Sequence, residues 1–186
     1  MPRVIMPLAP GFEEIEALAV VDILRRAGIE VVIAGLLPGP VTGTHAITVV
    51  PDTTIDAIHA DSFDLIVLPG GQPGTDNLNA DPRIQALLLE FSAQNKPTGA
   101  ICAAPIVLAA AGLLNGKKVT CYPTYGDRLN GGIYEDTTVV SDGTIITSQG
   151  VGTAIDFGLA LVARLTNQAT SDSIARAMLV SNMATP

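Results

Sequence analysis

The chain has no tryptophan, two cysteines, two histidines and few charges: 15% of its 186 residues are Asp, Glu, Lys or Arg. Each shortage excludes something. Cys102 and Cys121, without CxxC spacing, supply neither a zinc site nor a disulfide framework, and a reducing cytoplasm is the expected setting. The apolar run Pro105–Leu114 falls well short of the ~20 residues a membrane-spanning helix needs. One early arginine followed by Glu13, Glu14 and Glu16 is not the pattern of a signal peptide. Basic residues are the scarcer sign, 10 against 18 acidic ones, for a formal net charge of −8. A nucleic-acid partner is therefore not expected, and an anionic membrane is disfavoured. What is abundant is apolar: 48% of residues are hydrophobic. At this length that suits a single domain over residues 1–186 with a substantial core.

Core strands are expected at Arg3–Leu8, Glu30–Leu36, Asp64–Leu68, Gly99–Ile101 and Lys118–Tyr122, with a minor one at Ala46–Val50. A hairpin is expected to pair Thr138–Val140 with Thr144–Thr147 around Ser141-Asp142-Gly143. Helices are expected at Phe12–Arg26, ended by Gly28, and from Pro82 to Ala93 behind an Asp81 N-cap. Others follow at Ala103–Leu114, Thr153–Leu165 and Ser171–Val180. Strands alternating with helices imply an α/β fold, a doubly wound, mostly parallel sheet with helices on both faces. Such sheets bind ligands beyond the carboxyl ends of their strands. Pro10–Glu16, Gly70–Gly74, Cys102-Ala103 and the residues around Tyr122 should then converge on one rim.

Cys102 sits where a buried strand turns into a helix, and Pro105 fits only the first turn of that helix. Free N–H groups and the helix dipole lower a thiol's pKa at such a place; a small buried core cysteine is the plain alternative. Glu16 falls on the sheet-facing side of the first helix near Phe12 and Val20, where a carboxyl is expensive unless protonated or paired. A protonated Glu16 donating to the Cys102 sulfur would meet that need. Glu13 and Glu14 are expected to be solvated acids of the first turn. The Gly71 amide, next to Gly70, together with that of Ala103 could form an oxyanion hole, although a glycine pair after a strand is as readily a plain turn. Neither His45 nor His59 follows a core strand, so a Cys–His dyad has no evident base; His45 and Arg26 could form an anion patch. Gly150-Val151-Gly152 lacks the dinucleotide fingerprint and reads as a turn. If Tyr122 reaches the rim, its neighbour Cys121 packs inward.

Four segments, AICAAP (Ala100–Pro105), LPGG (Leu68–Gly71), PGFEEIE (Pro10–Glu16) and TSQGVGTAIDF (Thr147–Phe157), resemble the ThiJ/PfpI superfamily, and within it the parkinsonism-associated protein deglycase (DJ-one) branch and its bacterial relatives. The similarity runs in order over essentially the whole chain. It implies a flavodoxin-like fold, a homodimer, and a reactive cysteine on a nucleophile elbow at Cys102 with a protonated acidic partner at Glu16. It also implies oxyanion-type amides at Gly71 and Ala103, and basic residues near the dimer interface at His45 and Arg26. The implied activity is a cofactor-independent, metal-free glyoxalase or protein deglycase acting on a small α-oxoaldehyde or its glycated adduct. The alternative is an oxidative-stress sensor or chaperone-like protein working through oxidation of Cys102 to sulfinate. Many members carry histidine where this chain has Tyr122, and proline is frequent where it has Val151. Ala103 replaces the histidine that follows the nucleophile in the protease branch, which disfavours a peptidase.

Overall fold

The computed structural model describes residues 1–180. In its first strand, β1 (Arg3–Leu8), the period-two alternation of side chains is visible: Val4 and Met6 pack into one hydrophobic cluster and Ile5 into another. The chain continues through α1 (Glu14–Arg26), β2 (Glu30–Gly35), β3 (Val41–Thr42), β4 (Thr48–Val49), β5 (Thr53–Thr54) and β6 (Leu65–Leu68). Next come α2 (Gly74–Ala80), α3 (Pro82–Ala93), β7 (Thr98–Ile101), α4 (Pro105–Ala110), β8 (Lys118–Val119) and β9 (Ile133–Tyr134). The hairpin β10 (Val139–Asp142) and β11 (Ile145–Ser148) precedes α5 (Ala154–Leu165) and α6 (Gln168–Ala177).

Seven strands form the main sheet in the order β10-β11-β7-β6-β1-β2-β5, parallel except for β10 against β11. The cluster on one face packs β-strand side chains against α1, α5 and α6, and the cluster on the other packs them against α2, α3 and α4. This is the flavodoxin-like, doubly wound α/β architecture expected above. Because the chain leaves β2 and β5 on one side of β1 and re-enters as β6 on the other, the order reverses between β1 and β6. Ligand crevices open at such switch points.

Several boundaries differ from expectation for identifiable reasons. The helix after Cys102 is shorter than Ala103–Leu114: it ends at Ala110, where Gly112 takes φ +74° and Leu113 N donates to Leu108 O at 3.0 Å. That is a Schellman close, which an apolar run does not reveal. The expected core strand Lys118–Tyr122 is ordered as a strand only over β8, which pairs with β9 outside the main sheet. Beyond it the backbone is claimed elsewhere, Thr120 N by Thr147 Oγ1 at 2.8 Å and Tyr122 N by Cys102 O at 2.8 Å. The minor strand expected at Ala46–Val50 narrows to β4 and pairs with β3. Helix α2, begun by Gly, Thr, Asp and Asn with their weak helix propensity, was not expected. Helix α6 starts three residues before Ser171 because Asn167 Oδ1 caps Thr170 N at 2.9 Å. By contrast Asp81 caps α3 with Pro82 at its first position, as the sequence predicts. Among the described residues, no helix is long and apolar enough to cross a membrane.

Candidate active site

The carboxyl ends of β1, β6, β7 and β11 deliver the residues of one rim. At the end of β7 the chain turns so sharply that Cys102 takes φ +63°, a left-handed conformation rare for a residue with a side chain. Its backbone is held on both sides: Cys102 N donates to Ser148 O of β11 at 3.0 Å, and its carbonyl accepts from Tyr122 N. The thiol is thereby lifted half-buried above the sheet. The backbone amides of Ala103 and Gly71, the two groups expected to form an anion cradle, favour its charged form.

Glu16 lies on the first turn of α1 and is fully buried. Its position is fixed by a reciprocal pair of bonds to the turn after β6: Glu13 N donates to Gly70 O, and Gly70 N donates to Glu16 Oε2, each at 2.9 Å. The other oxygen, Oε1, has no hydrogen-bond partner of good geometry and lies with the Cys102 thiol around the open side of Gly150. A methyl placed on Gly150 would sit 3.8 Å from the sulfur and 3.9 Å from Oε1. Burial, with the nearby Glu13, pushes the Glu16 carboxyl from 4.5 up to about 7, against the opposing contacts of Cys102 and Gly70 N–H. Burial likewise pushes the Cys102 thiol upward, and an ionised Glu16 adds to this, while the Ala103 and Gly71 amides oppose it. A simply lowered thiol pKa, as expected from helix position, is therefore not what this environment produces. Helix α4 is only six residues long, and the acid beside the thiol matters more than the dipole behind it.

Gly70 tolerates no side chain: a Cβ there would lie 2.6 Å from Glu16 Oε2 and 2.8 Å from the Cys102 Cβ. Gly70→Ala is expected to destabilise the fold by about 1–3 kcal/mol, read by urea unfolding, because both neighbours are wedged against backbone. The glycine pair is thus more than a plain turn.

Other expected residues fall differently. Glu13 and Glu14 are buried rather than solvated. Glu13 is the N-cap of α1 and accepts from Glu16 N at 2.8 Å. Glu14 accepts from the His45 N–H at 2.7 Å, the His45 ring at 3.0 Å and Ile47 N at 3.3 Å. Burial would raise the Glu14 carboxyl, but its own N–H and these donors outweigh burial and hold it low. His45 therefore faces two carboxylates, which rules out an anion patch. Arg26 is at the opposite end of α1, paired with Asp22 at 2.6 Å, and does not reach the rim. Glu13, Glu14 and His45 each present one ligand atom within 4.8 Å of the others, yet both Glu14 oxygens already accept protein hydrogen bonds, as a structural cap does.

Tyr122 does reach the rim, about half exposed, with its ring edge-on to Tyr125. Cys121 beside it is fully buried, and burial pushes its thiol to about 11. Iodoacetamide is expected to label Cys102 in the native protein and leave Cys121 unlabelled, checked by peptide mass spectrometry. Gly150 was missed as a wall of the site. Its position directly after a core strand was the available signal, since β11 also ends on this rim. The largest surface cavities lie elsewhere, one of about 370 Å³ beside His59 and Arg83 for example, so cavity size does not mark the chemistry here.

Comparison with known proteins agrees with this architecture. The DJ-1/PfpI family model matches residues 2–164. Protein dj-1beta of Drosophila melanogaster is 40% identical over 94% of this chain and 95% of its own length. A Caenorhabditis elegans protein named Glutathione-independent glyoxalase DJR-1.2 is 36% identical over 91% of each chain. A Pyrococcus horikoshii protein named Deglycase PH1704 is 33% identical over 79% of this chain and 89% of its own length. The structure of Toxoplasma gondii DJ-1, oxidized, superposes with a TM-score of 0.94 at 36% identity, covering 97% of this chain and all of that one. With the family model spanning residues 2–164, a stretch that holds both the first helix and the Cys102 turn, the chain belongs to the DJ-1/PfpI family.

Proposed function

We propose that this protein is a Cys102-dependent glyoxalase or deglycase, converting small α-oxoaldehydes or their early glycation adducts without a cofactor. The observation that carries the reading is what surrounds one sulfur: the Gly71 and Ala103 amides, which favour its charge, and a buried carboxyl whose Oε1 has no hydrogen-bond partner. Relatives named glyoxalase and deglycase lend it support.

The buried pair holds one negative charge near neutrality, and sulfur is its better seat. The sulfur has two amides that favour its charge and partial exposure, whereas a carboxylate at Glu16 would leave Oε1 charged and unpaired in the core. A proton on Oε1 instead gives that atom something to donate. From this state the thiolate adds to the aldehyde carbon, and the new alkoxide, held by the Gly71 and Ala103 amides, takes the Glu16 proton. The Glu16 carboxylate then removes the hydrogen on the former aldehyde carbon and returns it to the adjacent carbon through an enediol. The product is a thioester of the hydroxy acid, and water releases the acid and restores the thiolate. Methylglyoxal plus water becomes lactate, with no redox partner. Tyr122 brings a phenol hydroxyl to the rim as a hydrogen-bonding group, and the proton shuttle falls to Glu16. The test is lactate formation from methylglyoxal without glutathione; no lactate above the uncatalysed rate contradicts the proposal.

One observation favours a second role. Cys102 is accessible while Cys121 is not, so mild peroxide would oxidise Cys102 selectively, toward the sulfinate. Equal oxidation of both thiols, by mass spectrometry, removes the basis for a sensor.

A further inference from the structure

We infer that the surface pocket beside Cys102 is a subsite for the substituent of the α-oxoaldehyde, and that Tyr122 makes it select apolar, ring-sized substituents over the methyl group of methylglyoxal. The inference rests on the proposed aldehyde chemistry and adds the identity of the preferred substrate.

Gly150 defines the seat. The point where its side chain would start lies 3.4 Å from the Tyr122 ring, 3.8 Å from the Cys102 sulfur and 3.9 Å from Glu16 Oε1. The nucleophile, the acid and the aromatic wall thus flank one face of Gly150, and a substrate bound over the sulfur stands against the Tyr122 ring. Gly150 and Tyr122 also line a surface pocket of about 280 Å³, whose other walls include Pro123 and Val151. That volume is at the small end for ligand pockets, suited to one ring or branched chain rather than a long adduct.

The wall chemistry fits such a group. Tyr122 is 48% and Val151 41% exposed, apolar surface that the described residues leave open. The Tyr122 ring is braced edge-on by Tyr125, at 6.5 Å between centroids. Tyr125 in turn accepts from Gln72 Nε2 at 3.1 Å and lies under the Arg128 guanidinium. A ring held this firmly offers a face or edge for stacking without first losing conformational freedom. No charged side chain contributes to this pocket, so an anionic or cationic substituent has nothing to pair with there. A methyl group leaves most of the pocket wet and gains little from it.

The experiment compares kcat/KM for phenylglyoxal and methylglyoxal in wild type, Tyr122→Ala and Gly150→Ala. The alanine at Gly150 meets only ordinary contacts, and the native φ of 165° is extended backbone open to any residue, so that variant should fold and crowd the approach between the sulfur and the Tyr122 ring. The phenylglyoxal-to-methylglyoxal ratio is expected to fall about tenfold in Tyr122→Ala, through the KM for phenylglyoxal, and to fall in Gly150→Ala as well. A ratio that moves less than about twofold in both variants overturns the subsite. Alkylation of Cys102 by iodoacetamide and by N-benzyliodoacetamide reads the same pocket without turnover. A preference for the benzyl reagent that is lost in Tyr122→Ala upholds the subsite even if no aldehyde is converted. Conversion of both aldehydes with no ring preference in either assay overturns it while leaving the glyoxalase reading intact.

Discussion

Cys102→Ser is expected to lower kcat/KM for methylglyoxal by about 10³-fold or more. The hydroxyl is smaller than the thiol and fits the same left-handed turn, so the fold should persist. What changes is acidity. A serine hydroxyl beside a carboxyl that itself holds its proton to about 7 has no group to ionise it, and neither histidine is near: His45 is bound to Glu14, and His59 lines a separate cavity. The Gly71 and Ala103 amides would remain, so methylglyoxal is expected to bind still, and the loss should fall on kcat. Lactate assays at pH 7 to 8, with circular dichroism as the folding control, check this.

Glu16→Gln is expected to move activity and stability in opposite directions. Activity falls by about 10²–10⁴-fold, because the amide neither protonates the alkoxide nor takes the hydrogen from carbon. Stability rises at alkaline pH. The folded-state carboxyl pKa stands at about 7 against 4.5 for the exposed group, so the folded protein binds this proton more tightly than the unfolded chain. The stabilisation is complete below about pH 4.5 and is lost as pH rises through 7. By pH 8 the wild type has given up about 3 kcal/mol that the glutamine variant, with nothing to ionise there, retains. Thermal melts should show the variant ahead at pH 8 and level with wild type at pH 4. A variant that melts lower than wild type at pH 8 would mean that Glu16 is a structural anion rather than a held proton.

The fold was legible because its signals are local and periodic: apolar strands, Gly28 closing α1, and Asp81-Pro82 opening α3 with the cap bond formed. Of the site, Cys102 and Glu16 could be found by position alone, one at a strand end and the other an acid on a buried helix face. Burial of Glu13 and Glu14 was not legible, because their covering comes from the loop at His45 and Ile47 and the turn at Gly70, far away in sequence. The same holds for Arg26. It is on the right helix, but a helix rises about 1.5 Å per residue, which carries its last turn well away from the rim. The segment Lys118–Tyr122 has the composition of a core strand, yet side-chain and turn contacts take its N–H groups, and no pattern of residue types announces that.

The most direct test of the coupled thiol–carboxyl pair is the pH dependence of thiolate absorbance at Cys102 in wild type and in Glu16→Gln. Cys121, buried and pushed to about 11, stays silent over the relevant range. In wild type the thiolate should appear below the ordinary thiol value, as the pair loses its first proton with the charge seated on sulfur. In Glu16→Gln the midpoint should move upward, because an amide is a weaker donor to the sulfur anion than a carboxylic acid. A midpoint near the ordinary thiol value of about 8.5 in both proteins would contradict the pair and the chemistry built on it.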